Sequence, residues 1–303
     1  MVPLHDTRLV MKAPAKVNLV LCVGARRPDQ YHDLVSIFQA VDVQDDVVLD
    51  DEPAGSAIVV TTSDPDLPTD DRNTAYRAAL LLREAHAPGR AARIHLEKRI
   101  PAEAGLGGGS SDAAAVLLGL NRLWNLGLSY QALLPLASTV GSDVPFFLTG
   151  GCALVRGRGE RVQPLPHPAP GWLVLAKPAF GVSTARAYAD LAAMRAGAPP
   201  PECEPAAQVM RAALERDDLP AVAGALRNDL EAPVLAAHPE IARLKEALLA
   251  AGALGALLCG SGSTLFGLFT SVAAAETAAG QLAGECAWVR VAAPLAAGQA
   301  RGV

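Results

Sequence analysis

The sequence has few cysteines, and they lie far apart. The five are Cys22, Cys152, Cys203, Cys259 and Cys286, with no Cys-x-x-Cys pair among them. Structural zinc sites and disulfide-stapled domains need closely spaced or paired cysteines. We therefore expect neither a zinc site nor a disulfide framework, and the reducing cytoplasm is the location that this cysteine usage predicts.

Lysine is also scarce, and the chain is acidic overall. The formal net charge is −5, and the chain has no basic tail or stripe. A protein that binds nucleic acid carries a basic surface, so nucleic acid is not an expected partner. Lysine occurs at only five positions, which are Lys12, Lys16, Lys98, Lys177 and Lys245. A phosphate ligand would therefore depend on helix N-termini, a few well-placed cations or a metal ion.

A membrane-spanning segment is not expected either. The N-terminus carries charges and lacks the apolar core of a signal sequence. One uncharged stretch, 247–275, is long enough to cross a bilayer, but glycines and serines interrupt it. We interpret it as a helix end, a strand, a glycine turn and a second strand, and we predict no membrane partner.

Glycine is concentrated at 101–115, which reads Pro-Ala-Glu-Ala-Gly-Leu-Gly-Gly-Gly-Ser-Ser-Asp-Ala-Ala-Ala. The apolar pattern predicts a strand at 92–97 before it and a helix at 112–124 after it. A glycine loop that opens a helix exposes unpaired backbone N–H groups at the positive end of the helix dipole, which binds phosphate. The stretch has no Walker lysine, and Ser110 stands where Gly-x-Gly-x-x-Gly needs its third glycine. A nucleotide-binding loop of another type is predicted, with a structural turn as the alternative.

Three further features could serve a phosphate site, and each also has a simpler explanation. The glycine turn at 259–264 lies between two apolar segments, where a bulge or hairpin explains it equally well. Lys16 lies in a mostly apolar strand, either as a functional cation or with its amine reaching solvent. Asp143 follows a predicted helix, either as a reactive carboxylate or as a turn former. By default, His32 and Tyr188 would be structural or solvated residues.

The length of 303 residues predicts two domains. Four prolines mark the boundary between them, Pro164, Pro166, Pro168 and Pro170. Strands and helices are interspersed without a strict β-α-β-α alternation, so the predicted fold class is α+β. We predict one domain over 1–162 and another over 163–303, and leave open whether the final strand packs back on the first domain.

Local signals predict several element boundaries. Asn73 is a candidate N-cap of a helix that ends near His86, and Ser129 of a helix that ends near Val140. Pro135 should kink or split the second of these helices. The segments 47–49 and 57–62 are expected to form a strand pair around a turn-rich connector.

Taken together, the motifs resemble one kinase superfamily. The stretch Ala-Gly-Leu-Gly-Gly-Gly-Ser-Ser-Asp-Ala-Ala at 104–114 is similar to the ATP loop of the GHMP kinases. The combination of motifs is similar to the branch that phosphorylates 4-diphosphocytidyl-2-C-methyl-D-erythritol, here called CDP-methylerythritol. The further motifs are Pro-Ala-Lys-Val-Asn-Leu at 14–19, Tyr-His-Asp-Leu at 31–34, Gly-Ser-Asp-Val-Pro-Phe at 141–146, Asn-Asp-Leu-Glu at 228–231 and Gly-Ser-Gly-Ser-Thr at 260–264.

The resemblance implies a fold and a reaction. It implies an N-terminal domain like domain 2 of ribosomal protein S5 and a ferredoxin-like C-terminal domain, with the substrate between them. The implied reaction transfers a phosphoryl group from ATP, with Mg²⁺, to the 2-hydroxyl of CDP-methylerythritol in the non-mevalonate route to isoprenoids. The implied partner is thus a small molecule, and a homodimer stays open.

The resemblance also implies residue roles. Asp143 is the implied base for the hydroxyl, and Lys16 is its cationic partner. The implied ATP-binding residues are Pro101, Ala102, Glu103, Ala104, Gly105, Leu106, Gly107, Gly108, Gly109, Ser110 and Ser111, with Asn73 and Lys98 near the adenosine. The implied substrate-binding residues are Asn18 and His32, which hydrogen-bond the substrate, and Tyr31 and Tyr188, which sandwich the cytosine. No protein metal ligand is expected.

Alternatives remain at this point. Another kinase of the superfamily, such as homoserine kinase, would have no use for a cytosine sandwich. A non-catalytic ligand-binding regulator on the same fold could have lost Lys16 or Asp143, yet both are present. Two positions depart from the motifs. Glu103 places a carboxylate in the phosphate loop, and Ser263 stands where proline also occurs.

Overall fold

The structure is a computed structural model that describes residues 7–29, 31–166 and 168–298. The predicted domain ends at 1–6 and 299–303 lie outside the described residues. In chain order the elements are β1 (Arg8–Arg26), β2 (His32–Glu52), β3 (Val59–Thr62), α1 (Thr74–His86), β4 (Ala91–Glu97), α2 (Gly108–Leu123), α3 (Tyr130–Val140), α4 (Val144–Thr149), β5 (Cys152–Gly157), β6 (Arg161–Leu165), β7 (Trp172–Lys177), α5 (Thr184–Met194), α6 (Glu204–Glu215), α7 (Leu219–Gly224), β8 (Arg227–Asn228), α8 (Glu231–Ala237), α9 (Pro239–Ala250), β9 (Gly255–Leu258), β10 (Leu265–Phe269), α10 (Val272–Leu282) and β11 (Trp288–Ala292).

The first sheet is built around β2. One edge of this 21-residue strand pairs with β1. Its other edge pairs with β5 in the N-terminal half and with β4 in the C-terminal half. The outer positions belong to β3, β6 and the two-residue β8. The expected pairing of 47–49 with 57–62 is wrong, because β4 lies between these segments and β3 pairs with it in parallel.

The second sheet is antiparallel, with strand order β11-β7-β10-β9. Alternate residues of β7 belong to different hydrophobic clusters, since side chains of a strand point to opposite faces. One face packs with α6 and buried residues of β1, and the other packs with α5, α8, α9 and α10. Helices α1 to α4 pack with the first sheet in a separate core. The α+β prediction is confirmed.

The stretch 247–275 has the predicted form, comprising the end of α9, then β9, the glycine turn and β10. Among the described residues, no helix is both long enough and apolar enough to cross a membrane. Strand β11 forms an edge of the second sheet, and the chain after it returns to the first sheet. There the Leu295 N–H donates to the Ala40 carbonyl at 2.8 Å. The division at 162/163 stays a prediction, and β6 spans it.

The cap predictions hold, and two helices differ from expectation. Asn73 accepts from the Ala75 N–H at 2.9 Å and caps α1. Ser129 caps α3 by accepting from the Ala132 N–H. Pro135 lies inside α3, and the helix runs without a break over Tyr130–Val140. Helix α2 begins at Gly108, earlier than predicted, so the end of the glycine stretch forms its first turn.

The expectation of no disulfide is wrong at one pair. Cys22 in β1 is bonded to Cys203, which precedes α6, and their Cα atoms are 5.4 Å apart. The partners are separated by 181 residues, so their spacing in the sequence carries no signal. Cys152, Cys259 and Cys286 are free thiols. Burial raises the pKa of the Cys152 and Cys259 thiols to about 12, which keeps both protonated.

Candidate active site

A cavity of about 890 Å³ opens where β1 and β2 meet the glycine loop (101–111), α5 and the second glycine turn (259–264). Its lining combines one lysine, two arginines, a carboxylate, hydroxyls and aromatic rings. The lining residues are Lys16, Asn18, Leu21, Arg26, Tyr31, His32, Leu34, Phe38, Gly105, Gly107, Ser142, Asp143, Arg158, Thr184, Ala185, Tyr188, Ala189, Ala192, Leu230, Gly260 and Ser261. The cavity therefore brings together residues from nearly every motif that the sequence singles out.

Lys16 is a buried cation at one end of the cavity, with only 4% of its surface exposed. Its ammonium donates to the Asn18 side-chain oxygen at 2.8 Å and to the Gly105 carbonyl at 2.9 Å. It also lies 4.9 Å from the centre of the Phe38 ring. A buried lysine with fixed acceptors is a charge held in place. This excludes the interpretation of Lys16 as a lysine whose amine reaches solvent.

Asp143 lies beside Lys16 at the same end of the cavity. One of its carboxylate oxygens lies 3.7 Å from the Lys16 ammonium, and 31% of the side chain is exposed. Asp143 holds the N-cap position of α4, yet its side chain makes no cap hydrogen bond. The carboxylate is therefore not used to start the helix, and it lies where a ligand in the cavity could reach it.

The glycine loop closes against the second glycine turn. Gly105 has φ +74°, and a Cβ added to it would lie 1.9 Å from the Cys259 carbonyl oxygen. Gly107 has φ +75°, and a Cβ there would lie 2.9 Å from the Phe147 ring and 3.2 Å from the Lys16 side chain. Only glycine combines this backbone conformation with so little space. Because Gly105 also accepts from Lys16, the loop helps to set the position of the ammonium.

The loop ends in the first turn of α2, where the N–H groups of Gly108, Gly109 and Ser110 precede the first helical hydrogen bond, from the Ser111 N–H to the Gly107 carbonyl. In this turn the Ser111 hydroxyl is buried and has no hydrogen-bond partner. A buried polar group without a partner is costly, so a ligand that satisfies it gains affinity. The donors and the helix dipole together suit a phosphate.

Aromatic side chains form another part of the cavity lining. His32 stacks on Tyr188 with ring centres 5.6 Å apart, and its Nδ1 lies 3.3 Å from the Gly24 carbonyl oxygen. Tyr31 is 54% exposed and carries the Arg158 guanidinium over its ring at 4.9 Å. Burial, and secondarily the charge of Asp143, raises the pKa of Tyr188, so its phenol stays neutral. Aromatic faces of this kind can stack on a flat, partly apolar ligand.

The sequence reasoning missed two cations of the cavity, Arg26 and Arg158. Arg158 lies in the turn between β5 and β6. This turn packs closely on the chain beside Asp143, since a Cβ at Gly159 would lie 2.8 Å from the Ser142 carbonyl oxygen. Arg-Gly-Arg-Gly at 156–159 is the signal that marks this tight turn. The placement of Arg158 over Tyr31 depends on tertiary contacts, which no local pattern reports.

Asn73 and Lys98 do not line the cavity. The Asn73 side chain caps α1 and also donates to the Pro68 carbonyl at 2.7 Å. The Lys98 ammonium is buried between the carboxylates of Asp45 and Asp112, 2.6 Å from the latter. Burial alone would lower the pKa of Lys98, but the charges of Asp112 and Asp45 raise it above its usual value. The roles of Asn73 and Lys98 near an adenosine stay predictions.

The Lys98 cluster makes stability depend on pH. Burial raises the pKa of Asp112 to about 7, against the attraction of Lys98. An aspartate with a higher pKa in the folded than in the unfolded state stabilises the fold at low pH, and this contribution is lost as pH rises through the folded pKa. We therefore expect the melting temperature of the wild type to fall from about pH 5 to about pH 8 relative to that of Asp112→Asn. If the melting temperatures of the two proteins changed with pH in parallel across this range, the raised pKa of Asp112 would be contradicted.

Glu103 lies beside the cavity without lining it. Its backbone is left-handed, with φ +49°. A Cβ added at Gly181 would lie 2.5 Å from a Glu103 carboxylate oxygen, so the carboxylate packs against the chain between β7 and α5. Burial lowers the pKa of Lys177 at the end of β7, and the charge of Glu103 opposes this effect. Glu103 thus has a local electrostatic partner in the second sheet.

Within the described residues, no group of three or more histidines, cysteines, aspartates or glutamates could hold a metal ion.

Two family descriptions match the chain. Residues 73–151 match the GHMP kinases N terminal domain, and residues 210–287 match the GHMP kinases C terminal domain. The first match includes the glycine loop and Asp143, and the second includes the second glycine turn.

Relatives and solved structures agree with these matches. The chain is 48% identical over 269 residues to the 4-diphosphocytidyl-2-C-methyl-D-erythritol kinase of Synechococcus sp. (strain JA-3-3Ab), covering 88% of this chain and 86% of that protein. The crystal structure of a 4-(cytidine 5'-diphospho)-2C-methyl-D-erythritol kinase is similar with a TM-score of 0.75 and 38% identity, covering 94% of this chain and 99% of that one. The homoserine kinase of Cytophaga hutchinsonii is similar with a TM-score of 0.76 and 25% identity, covering 97% of this chain and 96% of that one.

Proposed function

The chain belongs to the GHMP kinases, and on that premise we propose that it transfers a phosphoryl group from ATP to the 2-hydroxyl of CDP-methylerythritol. The products are ADP and the 2-phosphate of the substrate. The observation that carries this proposal is the cavity, which has a buried lysine beside a carboxylate at one end and aromatic rings with two arginines elsewhere in its lining. The lysine and the carboxylate suit the hydroxyl that reacts, and the aromatic rings and arginines suit the cytidine diphosphate part of the substrate.

Asp143 is the proposed base. The 2-hydroxyl is a tertiary alcohol, so the nucleophile is crowded and orientation limits the rate. A carboxylate within hydrogen-bond reach of the hydroxyl orients it and accepts its proton as the bond to phosphorus forms. The carboxylate of Asp143 makes no cap hydrogen bond in α4 and faces Lys16, which supports this role.

Lys16 is the proposed electrostatic partner. Phosphoryl transfer depends on positioning and charge stabilisation more than on covalent catalysis by the protein. The Lys16 ammonium lies between the Gly105 carbonyl and Asp143, at the junction of the glycine loop and the hydroxyl site. It therefore stabilises negative charge that develops on the transferred group, without needing to move.

The glycine loop is the proposed site of the ATP phosphates. The free N–H groups of the first turn of α2 and the buried Ser111 hydroxyl are its donors. Bound magnesium would supply neutralisation of the triphosphate charge. The Ser111 hydroxyl is an oxygen ligand of the kind that magnesium accepts, so the residues present fit an ion that is held mainly by the phosphates.

The aromatic end is the proposed nucleoside site. Tyr188 offers a neutral ring, with His32 stacked on it and Tyr31 nearby in the lining. Arg26 and Arg158 line the same cavity and match the negative diphosphate of CDP-methylerythritol. Asn18 donates to the Ser36 hydroxyl at 3.1 Å while its oxygen accepts from Lys16. These two bonds make Asn18 a residue that holds Lys16 in place. Its proposed hydrogen bond to the substrate would be an additional contact.

Homoserine is the competing acceptor, since a homoserine kinase shares the fold. A cavity of about 890 Å³ is large for a small amino-acid alcohol and suits a nucleotide-sized substrate. The test is ADP release by the purified protein with ATP, Mg²⁺ and either acceptor. We expect turnover with CDP-methylerythritol and none with homoserine, and the reverse result would reject the proposal.

Truncation of Tyr188 tests the nucleoside site. Base–aromatic stacking is worth about 1–3 kcal/mol, so we expect Tyr188→Ala to raise the KM for CDP-methylerythritol by about 10-fold or more. The KM for ATP should stay near its wild-type value, because Tyr188 stacks on His32 and is not part of the glycine loop. Tyr188→Phe is the matched control, since it keeps the ring and should keep the KM. An unchanged substrate KM in Tyr188→Ala would remove Tyr188 from the site.

A further inference from the structure

The segment Asn228–Glu231 lies at the junction of the two sheets, and the proposed reaction assigns it no role. Asn228 belongs to β8, which pairs in parallel with β1 at Val20 and Leu21. Side chains of the segment bond to Leu258 of the second sheet and to Arg195 at the end of α5. The segment therefore contacts the elements that carry both ends of the cavity.

Asn228 fixes the second glycine turn. Its amide nitrogen donates to the Leu258 carbonyl at 2.8 Å and to the Gly260 carbonyl at 2.7 Å. Its amide oxygen accepts from the Leu230 N–H at 2.9 Å, so both donors and the acceptor are used. The side chain is buried. A buried amide with all of these bonds made holds its partners in one arrangement.

The second glycine turn in turn supports Lys16. A Cβ at Gly260 would lie 3.4 Å from the Lys16 ammonium, and Gly260 approaches the Gly105 carbonyl closely. That carbonyl accepts from Lys16 at 2.9 Å. A path of packed groups therefore runs from Asn228 through Gly260 and Gly105 to the ammonium.

Asp229 fixes the C-terminal end of α5. Its carboxylate accepts from the Val23 N–H at 2.8 Å and lies 2.7 Å from the Arg195 guanidinium. Arg195 follows the last residue of α5 and also donates to the Val23 carbonyl at 2.8 Å. Arg227 donates to the second carboxylate oxygen at 2.9 Å. These bonds tie α5 to β1.

The N-terminal end of α5 is held separately. There the hydroxyls of Thr184 and Ser261 lie 2.8 Å apart. Tyr188 lies in the chain between the two attachments, at Thr184 and at Arg195, so both help to hold its part of α5 against the cavity.

We propose that Asn228 and Asp229 are positioning residues with separate tasks. Asn228 holds the second glycine turn, and through it Gly105 and Lys16, in place for phosphoryl transfer. Asp229 holds α5 through Arg195, and so holds Tyr188 in place for the nucleoside. This inference rests on the proposed function, because it assigns the two tasks to the two ends of that substrate.

The test compares Asn228→Ser with Arg195→Ala, each checked for folding by circular dichroism. Small displacements of a reacting group cost up to about 100-fold, so we expect Asn228→Ser to lower kcat by about 10- to 100-fold while the KM for CDP-methylerythritol stays unchanged. Loss of a hydrogen bond to a charged group weakens the contact that holds α5, so we expect Arg195→Ala to raise that KM by about 10-fold while kcat stays unchanged. Asn228→Asp keeps the side-chain size. If Asn228→Ser does not fold, kcat and KM are measured on Asn228→Asp instead.

Two matched controls separate positioning from general stability. Asn121→Ser removes a side-chain amide that bonds the backbone of Leu128 at both its N–H and its carbonyl, outside the cavity lining. Arg186→Ala removes an exposed arginine of α5 that, within the described residues, pairs with Asp190 on the same helix. Both controls should keep wild-type kinetic constants. A purely structural role of Asn228 and Arg195 would lower the melting temperature and leave kcat and KM as in the wild type, which would overturn the inference.

Binding of CDP, measured by calorimetry, separates failure of this inference from failure of the proposed function. We expect Arg195→Ala to weaken CDP binding by about 10-fold and Asn228→Ser to leave it unchanged. That pattern would support the positioning roles even if the wild type released no ADP with CDP-methylerythritol, which would reject only the proposed reaction. Equal effects of the two variants on CDP binding, or no binding of CDP to the wild type, would overturn the inference.

Discussion

Replacement of Asp143 by asparagine is expected to lower kcat by about 10³-fold. The amide cannot accept the proton of the substrate hydroxyl, and it no longer balances the Lys16 ammonium 3.7 Å away. The side-chain size is unchanged, and the carboxylate makes no cap hydrogen bond in α4, so the fold should be retained. The glycine loop is untouched, so ATP binding should stay near wild type.

The measurement is steady-state turnover together with ATP affinity by calorimetry. Asp217→Asn is the matched control, because Asp217 is exposed and lies outside the cavity lining. The control should keep wild-type kcat. If Asp143→Asn retained wild-type kcat, a carboxylate at this position would not be the base.

The second large effect is expected at Gly105. A Cβ there would lie 1.9 Å from the Cys259 carbonyl oxygen and 2.8 Å from its carbonyl carbon, and backbone atoms cannot rotate away as a side chain would. Gly105→Ala therefore forces the glycine loop apart from the second glycine turn and displaces the carbonyl that holds Lys16. We expect a loss of kcat of about 100-fold or more, and a loss of about 1–3 kcal/mol in the free energy of unfolding.

Gly55→Ala is the control that separates backbone strain from the clash. Gly55 has φ +89°, similar to Gly105, but nothing lies within 4 Å of a Cβ added to it. We expect Gly55→Ala to reduce stability and to leave kcat unchanged, as measured by denaturant unfolding and by ADP release. Equal kinetics in the two variants would show that contact between loop and turn does not position Lys16.

The features of the site that the sequence predicted are those encoded locally. The glycine loop before α2 and the cap at Asn73 depend on a few consecutive residues, and both appear in the structure. The proximity of Lys16 and Asp143 was expected from the motif resemblance. Their separation of 127 residues gives no local signal for it, and the structure brings the two side chains to 3.7 Å.

The features that were missed arise from distant contacts. Arg158 reaches the ring of Tyr31 only because β5 and β6 pair beside β2. The Cys22–Cys203 bond joins residues that the fold alone brings together. Lys98 was expected near an adenosine from its motif position, and the structure surrounds it with two buried carboxylates. In each case a local pattern specifies the residue type and the tertiary fold selects its partner.

The central claim is that the 2-hydroxyl of CDP-methylerythritol is the phosphoryl acceptor. Phosphorus NMR of the product from the wild-type protein, ATP and Mg²⁺ tests it directly. The carbon that bears the 2-hydroxyl carries no hydrogen, so the account predicts a new phosphomonoester signal without three-bond coupling to a proton, together with ADP. A phosphomonoester signal that is split by neighbouring protons, or no new phosphomonoester at all, would contradict it.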